Sequence, residues 1–420
     1  MTPISSSCVG YSMARSRRGP NRPEPDSLRA SDGPLIRLPK FLQAELTAGH
    51  PWIYRNHIPA GFSAATGTWI QAICGDTSVW GLWDADSQLA LRIYSRSGPL
   101  DAAQVVARVK SAWQLRQALL SSDTNAYRLI NGEGDAMPGI VVDVYGPYAV
   151  VATYGLAVQT LLPLVVAALK QVLSPVGILV RRMTADEDGS TSPHWVHGEP
   201  APNDLRIMEH GVHFFADLMQ GHKTGLYLDQ RENRQTLGQF SRGARVLNLY
   251  AYTGGFSVIA ALCAARQVTS VDIAAPALQR AQDNFRLNQL EPARHQFVVN
   301  DCYDFLKASA AANEQYDTIV CDPPSMAHSR AQLDDALRAY TLLSALGLRL
   351  VRDGGFYAAS SCTAQVSPEL FRQMLVQSAR RVGRNAQIVH ESGHAWDHPV
   401  KLAHPEGRYL KFVVLRVTET

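Results

Sequence analysis

The chain has 420 residues, 46% of them hydrophobic and 18% charged, with a formal net charge of +3. Such a composition excludes a disordered chain, and such a length calls for two or three domains. The small charge gives no global signature of nucleic-acid binding, and no run of about 18 apolar residues exists to cross a membrane. The most apolar stretch, Leu161 to Leu173, is short and carries Pro163 and Lys170.

The first 34 residues are rich in Ser, Arg, Pro and Gly and lack the apolar core of a signal peptide. They read as a disordered tail. Arg15, Arg17, Arg18, Arg22 and Arg29 against Glu24, Asp26 and Asp32 give it a net +2, which leaves +1 for the body. From Leu35 to about residue 105, short apolar runs alternate with Gly, Asp and Ser turns, among them 67–73, 78–83 and 89–94. That spacing predicts a small β-barrel. Residues 106–205 combine a helix that starts near Asp101, a hairpin across Gly146-Pro147 and a second helix over 157–173, an α+β middle domain. From residue 206 to the end, strands and helices alternate, which predicts a parallel sheet covered by helices. Its strands are expected at 246–250, 267–272, 296–300, 318–321, 355–360 and 409–417. Six scattered cysteines without a Cys-x-x-Cys fit free thiols in a reducing, cytoplasmic setting. No metal-ligand spacing is present; His210 and His213 read as strand or turn residues.

The chemistry concentrates in the last part. Val246 to Ser257 reads as strand, loop and helix start, but Tyr250 and Tyr252 occupy slots where a dinucleotide fold needs glycine. The backbone opens only at Gly254-Gly255, which suits a smaller, cationic ligand. Asp272, followed by Ile273, ends the next strand, where a carboxylate binds ribose hydroxyls. Asp301, followed by Cys302, ends the third strand and is placed to accept from an adenine amino group. Asp322-Pro323-Pro324 ends the fourth. In this order the elements describe an S-adenosylmethionine (SAM) site. The thiol of Cys362 falls where the fifth strand ends. In an open α/β sheet ligands bind outside the carboxyl ends of the strands, so Asp322 and Cys362 are expected to face one crevice.

Several strings together carry a resemblance to one family: Gly221 to Arg234 with Tyr227-Leu228-Asp229-Gln230-Arg231, the Tyr252-Thr253-Gly254-Gly255-Phe256 loop, Asp322-Pro323-Pro324, Asp397-His398-Pro399, and Pro405-Glu406-Gly407 with Tyr409-Leu410-Lys411. The sequence resembles the PUA-domain-bearing 23S ribosomal RNA cytosine-C5 methyltransferases from about Leu35 to the C-terminus. The resemblance implies a PUA-like RNA-binding barrel at 35–105 and a Rossmann-like class I methyltransferase domain at 206–420. It implies SAM as cofactor and 23S RNA, or a large-subunit assembly intermediate, as partner, and leaves a homodimer open. It places Tyr227 and Arg231 at the methionine end of the cofactor and Asn248, Tyr250, Thr253, Gly254 and Phe256 over it. Asp272 and Ile273 fall at the ribose, Asp301 and Cys302 at the adenine, and Asp322 at the cofactor and the target base.

Cys362 matches the family's catalytic cysteine. A thiolate adding to C6 of cytosine makes C5 nucleophilic, and sulfur supplies that thiolate near neutral pH. Asp322 is expected to bond N3 as charge gathers on the ring. Thr363 stands where the family usually has Ser, and Ser325-Met326 where Lys and an aromatic residue are common. Two other functions are compatible with the same sequence. One is methylation of another atom, guanine N7 or an exocyclic amine, with Cys362 idle. The other is a noncatalytic rRNA-binding assembly factor.

Overall fold

The computed structural model describes residues 33–183, 192–219, 226–327 and 329–420. The tail up to Asp32 and the Gly221–Gly225 part of the first string lie outside the described residues.

The first layer is a five-stranded sheet in the order β1 (Leu35–Arg37), β3 (Trp69–Cys74), β4 (Thr77–Trp83), β5 (Leu89–Ser95), β2 (Trp52–Tyr54). Alternation in β3 buries Ile70, Ala72 and Cys74 on one face, against Leu42 and Leu46, with Leu46 on the short helix α1 (Gln43–Ala48). A second five-stranded sheet runs β10 (His194–Gly198), β9 (Gly177–Arg182), β8 (Tyr148–Thr153), β7 (Ile140–Tyr145), β6 (Ala126–Asn131). Helices α2 (Ala102–Leu119) and α3 (Leu162–Leu173) cover it, and Val105, Val109, Val165 and Leu169 share its core. Asp101 starts α2 with a reciprocal capping box to Gln104. A hairpin, β11 (Leu205–Glu209) and β12 (Val212–Ala216), follows, turning at His210-Gly211.

The largest sheet has seven strands: β15 (Gln296–Val299), β14 (Gln267–Asp272), β13 (Arg245–Leu249), β16 (Tyr316–Cys321), β17 (Val351–Ser361), β19 (Lys411–Glu419), β18 (Arg384–Ser392). Five helices accompany it: α5 (Gly255–Leu262), α6 (Ala275–Leu287), α7 (Cys302–Ala311), α8 (Leu333–Leu350) and α9 (Pro368–Arg381), while α4 (Arg231–Gly238) precedes β13. The first five strands pair in parallel, as helical crossovers require. The all-parallel expectation fails at the far edge. There β19 inserts antiparallel between β17 and β18, because no helix separates β18 from β19. The chain reverses β13's neighbours at β14 and β16, so a crevice opens at the carboxyl ends there.

Candidate active site

The loop after β13 is bent by backbone conformations that side chains rarely adopt. Tyr250 (φ 57°) and Tyr252 (φ 49°) both lie in the left-handed region, where bulky residues are strained and which clusters at functional sites. Gly254 (φ 78°) completes the turn, and a Cβ there would meet Ala281 of α6 at 2.8 Å. Asp272 holds the loop. One carboxylate oxygen accepts from Tyr252 N–H at 2.8 Å and the other from Ala274 N–H at 2.9 Å. A carboxylate has about four acceptor positions, so capacity remains for ribose hydroxyls. Asp272 pairs with Val299 across the β14–β15 ladder, and beside it Ile273 is 72% exposed, an apolar surface at the strand ends. Asp301 caps α7, accepting from Tyr303 and Asp304 N–H through one oxygen. Thr253 is buried, and its carbonyl accepts from Asn284. Asn248 donates to Ser257 at 2.8 Å, while its carbonyl oxygen is buried without a partner. Strand-end carboxylates, a glycine-opened turn and an uncovered apolar edge fit SAM.

Three of the expected cofactor residues turn elsewhere. The Phe256 ring stacks on Phe412 in the core, 6.1 Å between centroids. Cys302 is sealed: its sulfur accepts from Tyr250 N–H at 3.2 Å, and burial pushes its thiol up to about 12. Arg231 is fully buried, with Nη1 on Asp397 at 2.9 Å and Nε on Glu232 at 3.1 Å. Burial works against its charge, but Asp397 more than compensates and holds the pKa above the ordinary value.

Asp397 itself ties the parts together. Its side chain accepts from the backbone N–H of Arg128 on β6 at 2.8 Å and from His398 at 2.8 Å; its backbone carbonyl accepts from Arg116 on α2 at 2.7 Å. Burial opposes its charge, yet His398 and Arg231 hold its carboxyl far below the usual range.

Cys362 follows β17 directly and is half-buried. It lines a cavity of about 850 Å³ shared by all three parts of the described chain: Trp52 and Arg92 from the first sheet, Arg128 and Asp143 from the second, and Asp229, Cys362 and Tyr409 from the last part. Asp322 follows β16, and the charges of both Asp322 and Cys362 act on the Tyr227 and Tyr340 hydroxyls. Tyr227 meets Tyr252 edge-on at 5.6 Å, which joins this end of the cavity to the cofactor loop.

Two neighbours of Cys362 went unrecognised in the sequence. The Lys411 ammonium donates to the carbonyls of Thr363 at 2.6 Å and Tyr409 at 2.8 Å. Burial lowers its pKa to about 8, and Cys362 opposes that shift. Thr363 gives its hydroxyl to a buried cluster with Tyr340 (2.8 Å) and Ser325 (3.3 Å), and accepts from Met326 N–H (3.2 Å). It pins the Asp-Pro-Pro loop to the strand end that carries Cys362. Lys411 lay in the Pro-Glu-Gly-x-Tyr-Leu-Lys string; a lysine opening an apolar strand was its signal.

Residues 170–391 match the model of the S-adenosylmethionine-dependent methyltransferases. The chain belongs to that family. It is 36% identical over 413 residues to a ribosomal RNA large subunit methyltransferase of Deinococcus radiodurans, covering 93% of this chain and 100% of that one. It is 33% identical to ribosomal RNA large subunit methyltransferase I of Salmonella arizonae, covering 91% and 98%. A solved SAM-dependent methyltransferase from Streptococcus mutans superposes with a TM-score of 0.81 at 25% identity, over 91% of this chain and all of that one. A solved methyltransferase complexed with SAH gives 0.82 at 25% identity and the same coverage. SAM is therefore the cofactor, in a class I methyltransferase fold. Among the described residues no cluster of His, Cys, Asp and Glu is placed to hold a metal ion, and no helix is long and apolar enough to cross a membrane.

Proposed function

We propose that this enzyme methylates C5 of a cytosine in large-subunit ribosomal RNA through a transient bond between Cys362 and C6. The observation that carries the reading is the thiol that follows β17 and lines a large cavity, next to Thr363, whose carbonyl holds the Lys411 ammonium. The names of the relatives from Deinococcus and Salmonella support the RNA substrate.

When bound, the cofactor supplies an electrophilic methyl group on sulfonium sulfur. Tyr250, Thr253, Gly254, Asp272, Ile273 and Asp301 line its crevice, and Tyr227 and Asp322 border it on the substrate side. The Cys362 thiolate adds its electron pair to C6, and the ring electrons become available at C5. Asp322 holds N3 as negative charge develops there. After C5 is methylated, loss of its proton to a base returns the electrons to the ring and expels the thiolate. The Lys411 ammonium favours the thiolate before attack and as leaving group. We assign residues 35–105 to a PUA-like RNA-binding barrel, 106–205 to a middle domain and 206–420 to the methyltransferase.

The test is incubation with labelled SAM and RNA from a host lacking this gene, followed by nucleoside analysis. Labelled 5-methylcytidine in the large-subunit RNA is expected. Another labelled nucleoside overturns the thiol mechanism and keeps the cofactor site.

A further inference from the structure

The cavity reaches well beyond Cys362, and its far end is chemically unfinished. Arg92 on β5 lines it and is 8% exposed, yet its Nε and Nη1 lack hydrogen-bond partners. Its ionic neighbour among the described residues, Asp84, is 3.8 Å away. Gly139 and Gly155, both at positive φ, flank it; a Cβ at either would lie 3.0 or 2.9 Å from the guanidinium. Trp52 is directly opposite Arg92 across the β2–β5 pair, so the two side chains share a face. The His404 ring packs on Trp52 at 4.2 Å, and its Nε2 is also buried without a hydrogen-bond partner. Buried N–H donors without acceptors are costly. They mark a place where a ligand supplies acceptors.

The charges around this end are already answered. Glu133 accepts from Trp52 Nε1 at 2.8 Å and from Gly139 N–H at 3.2 Å. Asp143 pairs with Arg128 at 2.8 Å, and Asp229 accepts from Tyr409 at 2.6 Å. Glu406 is within 3.5 Å of His50 and 3.8 Å of His404, and Lys401 adds one cation. Arg92 thus needs neutral acceptors more than counter-charge. A nucleobase edge that carries acceptors meets that need, and guanine O6 and N7 are the acceptors arginine most often bonds.

We propose that the barrel end of the cavity is a second nucleotide subsite, in which Arg92 reads the acceptor edge of a guanine neighbouring the target in the RNA strand. This rests on the RNA-methylating function proposed above. The subsite makes methylation depend on the base at one flanking position.

The test uses the full chain and short RNAs carrying the methylated site, with each guanine near the target replaced in turn by adenine, inosine or 7-deazaguanine. One position is expected at which adenine and 7-deazaguanine lower kcat/KM about tenfold or more and inosine, which keeps O6 and N7, does not. In Arg92→Gln and Arg92→Lys that discrimination is lost, while SAM binding and the melting temperature show each variant folded. Equal discrimination by wild type and folded variants overturns the subsite. So does a loss of affinity with every sequence accompanied by a lower salt slope, the mark of a phosphate contact. If the wild type methylates no RNA, the parent reading falls and the subsite with it.

Discussion

Two of the three cysteines at the carboxyl edge of the large sheet, Cys302 and Cys362, contrast in access. Cys302 opens α7, where a helix N-terminus favours a thiolate, but burial outweighs that and keeps it protonated to about pH 12. It braces the cofactor loop through Tyr250. Cys362 follows β17 and lines a cavity, and the carbonyl of the next residue, Thr363, holds the Lys411 ammonium. Under the proposed mechanism, access to the cavity, more than position at a strand end, separates the reactive thiol from the structural one.

The comparison breaks first at Cys362→Ala, which is expected to reduce transfer to background in a filter assay while SAM affinity is unchanged. Normal turnover by that variant removes the covalent step. Asp397→Asn is next. It leaves Arg231 buried beside a neutral partner, and a loss of about 3–5 kcal/mol in denaturant unfolding is expected. A change below about 1 kcal/mol would show that the ion pair does not stabilise the fold.

Lys411→Met sharpens the contrast through pH. The ammonium is charged below about pH 8 and neutral above it. Under the proposed mechanism it favours the Cys362 thiolate below that value, so the variant's alkylation profile is expected to move to higher pH. Folding also lowers the lysine's proton affinity from 10.5, so the unfolded chain binds more protons between about 8 and 10.5. Stability therefore rises with pH across that window in the wild type, and the variant loses this slope. An unchanged alkylation profile would separate Lys411 from the thiol. The smallest effect belongs to Cys302→Ser, for which transfer within a few-fold of wild type is expected, with a stability loss of about 1–2 kcal/mol.

The strand ends that carry Asp272, Asp301, Asp322 and Cys362 were legible because buried parallel strands read as short apolar runs between helices. The exposed β18 and the β11–β12 hairpin were not, since neither has such a run. Side-chain direction was also hidden. Phe256 and Arg231 stand in strings that mark a cofactor site, but their orientation depends on Phe412 and Asp397, far away in sequence. The end of the cavity by the first sheet joins residues 52, 92 and 404. No local pattern foretells that meeting.

The most direct test of the central claim is covalent trapping. RNA bearing 5-fluorocytidine at the target is incubated with enzyme and SAM, and the products are resolved by denaturing electrophoresis and mass spectrometry. Fluorine at C5 blocks the final proton loss, so a stable protein–RNA adduct linked through Cys362 is predicted, absent in Cys362→Ala. Methyl transfer to unmodified RNA without any adduct on the fluorinated RNA would contradict the account.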